Sequence, residues 1–332
     1  MQLLRKLLFP FSFLYGFIVF LRNLFFDLGI FKSKTFRTPT ICVGNLSVGG
    51  TGKTPMIELL IRTLHDVNNI AVLSRGYKRK SKGFKLAKPT STVTELGDEP
   101  YQIHMKFPEV NVAVDVDRRN GIRQLEAKTN PKVILLDDAF QHRKVRAGYN
   151  ILLTSFDNLY VNDWFLPTGS LRDSKKQAER ANMVVVTKCP TDLTNKEAEE
   201  IIEKLKPHNG QKVLFSATAY NNRLKGKPEA LDLDHLGDSK FTLVTGIADA
   251  APLVAYFDSK GLNFEHLAYG DHHFFTAKEI NELKAKTIIL TTEKDYVRLN
   301  KELKNILYIE VKQVFLFGGQ TIFESEIKEF IK

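Results

Sequence analysis

The chain has 332 residues, 43% of them hydrophobic and 26% charged, a folded mix with room for one large or two medium domains. The formal net charge of +10 needs something anionic to face: nucleic acid, nucleotide, a phospholipid surface or an acidic substrate. Only two cysteines are present, Cys42 and Cys189, each in or beside an apolar run and without a Cys/His cluster, which argues against a disulfide framework and a zinc site.

The N-terminus is apolar and aromatic, with nine of the 24 phenylalanines before residue 37. The uncharged run from Leu7 to Leu21 is short of the ~20 residues a bilayer span requires. Arg5, Lys6 and Arg22 bracket it and Pro10 interrupts it. No small-residue cleavage site follows before Arg22, so a signal peptide fits poorly. A span reaching Phe26 would have to take in Arg22 and Asn23. The composition best predicts an interfacial helix over residues 1–30, with a helix packed on its own domain as the alternative.

Apolar, β-rich runs then alternate with helical patterns: Thr40–Gly44, Ile70–Ser74, Val110–Val116, Val133–Asp137, Asn150–Thr154 and Met183–Thr187. A second set follows at Val213–Ala217, Phe241–Thr245, Phe264–Tyr269, Thr287–Thr291 and Leu307–Val311. Alternation of this kind predicts α/β architecture with a parallel sheet. The stretch Tyr220–Lys240, rich in Asn, Lys, Gly, Pro and Asp, reads as a boundary. The expected division is a larger α/β domain over 31–219 and a smaller C-terminal α/β domain over 220–332.

Between the first strand and its helix lies Ser47-Val48-Gly49-Gly50-Thr51-Gly52-Lys53-Thr54. A phosphate-binding loop needs inward-pointing backbone N–H groups, a Lys for the β/γ-phosphates and a hydroxyl for Mg²⁺. The glycines, Lys53 and Thr54 supply these, and Ile57, Leu60, Ile61 and Leu64 continue at helical spacing, so the phosphates would meet a helix N-terminus and residues 31–219 are expected to form a nucleotide-binding domain like that of the P-loop NTPases. Ser47 departs from the usual first glycine, and Pro55 is tolerable in a first helical turn. Val48 stands where switch ATPases of the deviant-loop type carry a lysine, which weighs against that class. The run Val133–Leu136 ends in Asp137 and Asp138, where a second Mg²⁺ element is expected; a pair of loop acids or a helix cap is the plainer alternative.

GNLSVGGTGKTP, RGYKRK (Arg75–Lys80), LGDEP (Leu96–Pro100), DDAFQHRKV (Asp137–Val145), LPTGSLRD (Leu166–Asp173), VVTKCP (Val185–Pro190), GDHHFF (Gly270–Phe275) and TTEKDYVR (Thr291–Arg298) occur in that order. Together they resemble the tetraacyldisaccharide 4′-kinase family of lipid A synthesis, from the N-terminal apolar segment to about Arg298. The resemblance implies two α/β/α lobes joined by a short two-stranded linker. It implies an enzyme on the cytoplasmic face of the bacterial inner membrane, peripheral or monotopic, using ATP and Mg²⁺. Its substrate would be a lipid A disaccharide 1-phosphate phosphorylated at the 4′-hydroxyl, with no obligate protein partner.

By the same resemblance Asp98 is the catalytic aspartate and His272 its partner, with Lys53 and Arg172 on the transferring phosphate. Thr54, Asp137 and Asp138 would hold the metal. From the residues alone, Asp98 reads equally as a helix N-cap, and Arg172 as a salt-bridge partner of Asp173. Ala139 replaces the glycine usual after the acid pair. His273 reads as a local packing residue, and Gln141 and His142 as phosphate or loop contacts. Arg118 and Arg119 are further anion-binding candidates, and Val185–Lys188 could border the nucleotide base. The seven basic residues between Arg75 and Lys88 suit an anionic surface. Two rival classes fit the sequence less well. A P-loop GTPase or metallochaperone switch lacks a clean guanine motif here, and no zinc-finger or RNA-recognition platform supports nucleic-acid binding.

Overall fold

A computed structural model describes residues 8–237 and 239–332; Arg5 and Lys6, expected at the basic edge of the first helix, lie outside it. Helix α1 (Phe9–Asp27) comes first, and Pro10 in its first turn needs no N–H there. It is long and apolar enough to cross a membrane by length and composition. Phe11, Phe13, Leu14, Phe17, Ile18 and Phe20 are nonetheless exposed, while Ser12, Val19 and Asn23 are buried. The usual sidedness of a surface helix is thus inverted, with polar residues facing the protein.

The first lobe alternates β1 (Thr40–Asn45), α2 (Lys53–Thr63), β2 (Ile70–Ser74), β3 (Lys85–Leu86), α3 (Val93–Leu96), α4 (Asp98–Lys106), β4 (Asn111–Val114), α5 (Arg118–Thr129) and β5 (Val133–Asp137). It continues through β6 (Tyr149–Ser155), β7 (Met183–Cys189), α6 (Asn195–Leu205) and β8 (Lys212–Tyr220). The second lobe holds β9 (Arg223–Gly226), β10 (Leu231–Asp232), β11 (Phe241–Thr245), α7 (Ala251–Ser259), β12 (Phe264–Ala268), α8 (Ala277–Lys284), β13 (Ile289–Thr292), α9 (Glu293–Leu299) and β14 (Ile306–Ile309). The chain then returns as β15 (Val311–Phe315) and α10 (Gly319–Ile331).

Among the described residues the strands form two sheets. The larger has the order β15-β8-β7-β6-β1-β5-β2-β4-β3, parallel except for its two edge strands. Strand β1 pairs with β5 and β6 on either side, so the loop after β1 and the acids after β5 emerge side by side at the carboxyl edge. Side chains alternate across this sheet. Ile41, Val43, Leu135 and Ile151 pack with Ile57, Leu60 and Phe323, while Cys42, Leu136, Leu152 and Val184 pack with Ile122 and Ile201 on the other face.

The smaller sheet has the order β10-β9-β14-β13-β11-β12. Its cores are Leu243, Phe257, Leu290 and Leu307 on one side and Val244, Leu283, Ile289 and Ile306 on the other. Each predicted strand is present within three residues of its expected limits, β8 running on from Ala217 to Tyr220. The stretch Tyr220–Lys240, read as a boundary, itself carries β9 and β10 of the second sheet. Residues 311–332, grouped by sequence with the C-terminal unit, pair with β8 instead and pack Phe323 and Ile327 on the first lobe. The connection between lobes therefore consists of the antiparallel crossings near Tyr220 and Val311, whose Cα atoms are ladder partners.

Candidate active site

The loop after β1 ends on Gly52, whose left-handed φ of 79° caps α2 and would strain any residue with a side chain. Lys53 opens the helix, its ammonium 3.4 Å from Asn45 Oδ1 and 3.9 Å from Asp138. Burial pushes its pKa down, and Asp138 opposes the shift. Ser47 uses its hydroxyl, donating to Asp163 Oδ2 at 3.1 Å, which explains why a side chain replaces the usual glycine. Val48 N–H donates to Ser170 O at 2.8 Å. Ser47–Thr51, Thr154, Ser155, Asp157, Asn158 and Lys188 line a cavity of roughly 260 Å³. Lys188, expected at the nucleotide base, thus faces the same cavity as the loop.

Asp137 and Asp138 sit beside this loop. Asp137 is buried and accepts a bond from Ser74 Oγ at 2.9 Å. Burial, then the charges of Asp138 and Glu99, push it up to about 6. Arg172 forks onto both oxygens of Asp138 and also reaches Asn45 Oδ1 at 2.5 Å. Its expected local partner, Asp173, is engaged elsewhere. Among the described residues no cluster of three acids, His or Cys could hold a metal alone. Crowded hard oxygen donors and an unrelieved acid fit a Mg²⁺ that takes one or two carboxylates, the Thr54 hydroxyl and phosphate oxygens.

The second constellation joins Asp98 of the first lobe to His272, Lys294 and Arg298 of the second. Asp98 is the first residue of α4, where Gly97 takes the cap position and no side chain caps the helix. Its buried carboxylate instead meets His272 Nδ1 at 2.7 Å and the guanidinium of Arg298, which donates from Nε at 3.0 Å and again from Nη2. Burial would raise the pKa of Asp98; the bonds and charges of Arg298 and His272 outweigh it and hold the carboxyl below its usual range. Lys294 Nζ lies 3.1 Å from His272 Nε2 and 3.4 Å from Glu99. Glu99 acts on the titration of both Lys53 and Asp137, so the start of α4 faces the phosphate loop. The two constellations together offer cationic groups for phosphate and a held carboxylate for a proton.

Other candidates separate. His273 bonds Glu279 at 3.0 Å and stacks on Tyr269, a local role. Gln141 donates to Asn45 O at 2.6 Å and so fixes the loop. His142 is pushed down to about 4 by burial and by Arg118 and Arg75, and stays neutral near pH 7. Arg118 is buried at the start of α5 with Nε and Nη2 unpartnered, whereas Arg119 is half-exposed against Asp117. Sequence reasoning assigned no role to Arg298 or Lys294, although both stand in TTEKDYVR, nor to Asn45 and Asp163. The acid neighbours that give them meaning are distant in the chain.

The family model described as tetraacyldisaccharide-1-P 4′-kinase matches residues 4–332. The chain belongs to that family. Curated tetraacyldisaccharide 4′-kinases are similar over nearly full length: 49% identity in Flavobacterium johnsoniae and 48% in Flavobacterium psychrophilum, each covering 100% of this chain and 98% of the relative. The relative in Bacteroides thetaiotaomicron is 41% identical over 99% of this chain and 94% of its own. The same kinase fold is seen in the crystal structure of the "apo" form of LpxK from Aquifex aeolicus in complex with ATP. That structure matches at a TM-score of 0.82 and 31% identity, over 99% of this chain and 100% of its own.

Proposed function

We propose that the chain transfers the γ-phosphate of ATP to the 4′-hydroxyl of a tetraacyldisaccharide 1-phosphate, giving lipid IVA, on the cytoplasmic face of the inner membrane. The observation that carries this reading is the pairing of two constellations. A phosphate loop with Lys53 and Arg172 faces a carboxylate, Asp98, held by His272 and Arg298.

Phosphoryl transfer asks a protein mainly to place the reactants and to stabilise charge. The backbone of Ser47–Thr54 cradles the phosphates at the start of α2, and Lys53 neutralises the charge that develops toward the leaving group. Arg172, now on Asp138 and Asn45, is the second cation at that position. Thr54, Asp137 and Asp138 would hold Mg²⁺, which would supply further neutralisation of the phosphate charge. Asp98 accepts the proton of the sugar hydroxyl; His272 and Arg298 orient it and keep it ionised, and the same contacts make it a weaker base. His272 fixes one carboxylate oxygen and can share the proton; Arg298 fixes both.

The exposed phenylalanines of α1 supply a membrane-facing surface suited to a lipid-borne acceptor. Asp98→Ala should abolish glycolipid phosphorylation while binding of the ATP analogue AMP-PNP persists. Full turnover in that variant would remove Asp98 from the chemistry.

A further inference from the structure

Most polar residues of α1, awkward for a membrane helix, face one segment of the chain. Asp173 is fully buried, and Asn23 Nδ2 donates to its Oδ1 at 2.8 Å while Arg22 Nη2 donates to Oδ2 at 2.7 Å. Ser12 Oγ bonds Thr168 Oγ1 at 2.7 Å and accepts from Thr168 N–H at 2.9 Å. Tyr15 OH donates to Arg172 O at 3.2 Å. Gly16 leaves room for the ring of Phe165, which a Cβ there would meet at 2.8 Å.

The opposite side of the same segment grips the phosphate site. Asp163 takes the Ser47 hydroxyl, and Ser170 O takes the Val48 N–H. Arg172 N–H donates to Leu46 O at 2.8 Å, and its guanidinium holds Asn45 and Asp138. Gly169 makes this close turn possible, because a Cβ there would lie 2.2 Å from Trp164 O. A second tie runs through Arg143, five residues beyond Asp138, which bonds Asn23 O at 3.1 Å and Asp27 at 2.6 Å. Residues 163–173 are therefore clamped between the membrane-facing helix and the loop.

We infer that Asn23 and Arg22, acting through Asp173, are positioning residues for Arg172 and the phosphate loop, so that α1 builds the nucleotide site as well as presenting an apolar face. Anchoring alone would leave the polar seam without purpose, since water or lipid headgroups could satisfy those side chains. A membrane helix docked through buried polar bonds has one register, and that register fixes the segment carrying Arg172. This inference rests on the reading of Ser47–Thr54 as the nucleotide loop.

The test uses the full chain in dodecyl maltoside micelles, with Mg²⁺ and AMP-PNP as the titrant, and separately vesicles of phosphatidylethanolamine and phosphatidylglycerol. Asn23→Asp places a carboxylate against buried Asp173 and should weaken AMP-PNP binding by about tenfold or more, with vesicle binding retained. The exchange Asn23→Asp with Asp173→Asn restores one amide and one carboxylate and should recover most of the affinity. Phe13→Ser with Phe17→Ser should do the reverse, losing vesicle binding while AMP-PNP affinity stays native. If Asn23→Asp does not accumulate as folded protein, Asn23→Leu removes the bond without adding charge and should still lose several-fold affinity. Native affinity in a folded Asn23 variant, or no recovery in the exchange, overturns the inference. A native chain that fails to bind AMP-PNP overturns the nucleotide reading itself, and this inference with it.

Discussion

Lys106 closes α4, and its ammonium lies 2.7 Å from Glu58, 2.6 Å from Glu293 and 2.9 Å from Glu310. Glu58 belongs to the helix after the phosphate loop, Glu293 opens α9, which carries Lys294 and Arg298, and Glu310 sits where the chain crosses back between lobes. All four side chains are at most 10% exposed. Burial, then Glu58, pushes Glu293 up to about 7, while Lys106 and Lys225 hold Glu310 down to about 2. Burial would lower the pKa of Lys106, but the acids win and raise it.

Lys106→Met removes the cation and leaves three buried carboxylates facing one another, with half-exposed Lys225 beside Glu310. Breaking a buried pair from one side costs about 3–5 kcal/mol, which corresponds to a melting-temperature loss on the order of 10 °C at pH 8. The sign of the pH dependence follows from the acids. Without the lysine Glu310 loses the contact that holds it down and Glu293 is pushed further up, so the penalty is full at high pH and fades as they protonate toward pH 5. Differential scanning calorimetry of native and variant protein at pH 5 and pH 8 measures both. A loss below about 2 °C at pH 8, or one that grows at pH 5, would refute the assignment of this knot as a joint between the lobes.

In the native protein, Glu293 has a folded pKa near 7 against an ordinary 4.5, so it withdraws stability as pH rises through that window. Glu293→Gln should therefore flatten the fall in melting temperature between pH 5 and pH 7.5; an unchanged slope would locate that titration elsewhere. Arg298→Gln removes the stronger of the two groups that hold Asp98 down, leaving His272 alone against burial, so the acid limb of the kcat/KM profile should move toward neutral pH. An unmoved limb would mean that Asp98 is not the titrating base. Lys53→Met should lower kcat by about a hundredfold or more, measured with saturating glycolipid. Ser47→Gly restores the common loop residue but loses the bond to Asp163, and a modest loss of about 1 kcal/mol in stability is expected, read by urea unfolding.

The sheet was readable because its strands are short, β-branched and buried on both faces, as in Val133–Leu136 and Met183–Val186. The phosphate loop was readable because its glycines, Lys53 and Thr54 are contiguous. Strand β15 was not, since Val311–Phe315 is a half-buried edge strand whose partner β8 lies across an entire lobe. Arg298 escaped for a similar reason: it stands 200 residues from the Asp98 carboxylate that it holds. The roles of Arg22 and Asn23 were legible only as objections to a bilayer span. The buried Asp173 that satisfies them is 151 and 150 residues away, and no local pattern announces it. Asp98 itself looked as much like a helix cap as a base, and only the imidazole and guanidinium across the cleft separate those readings.

In the proposed reaction the phosphate leaves ATP for the 4′-hydroxyl of a glycolipid. The purified chain, given Mg²⁺, ATP and a tetraacyldisaccharide 1-phosphate in detergent micelles, should yield a product heavier by one phosphate. Tandem mass spectrometry should place that phosphate on the sugar distal to the 1-phosphate, and the product should vanish in Asp98→Ala. Nucleotide hydrolysis at the same rate with and without the glycolipid, and no phosphorylated lipid, would contradict the account and favour a nucleotide switch.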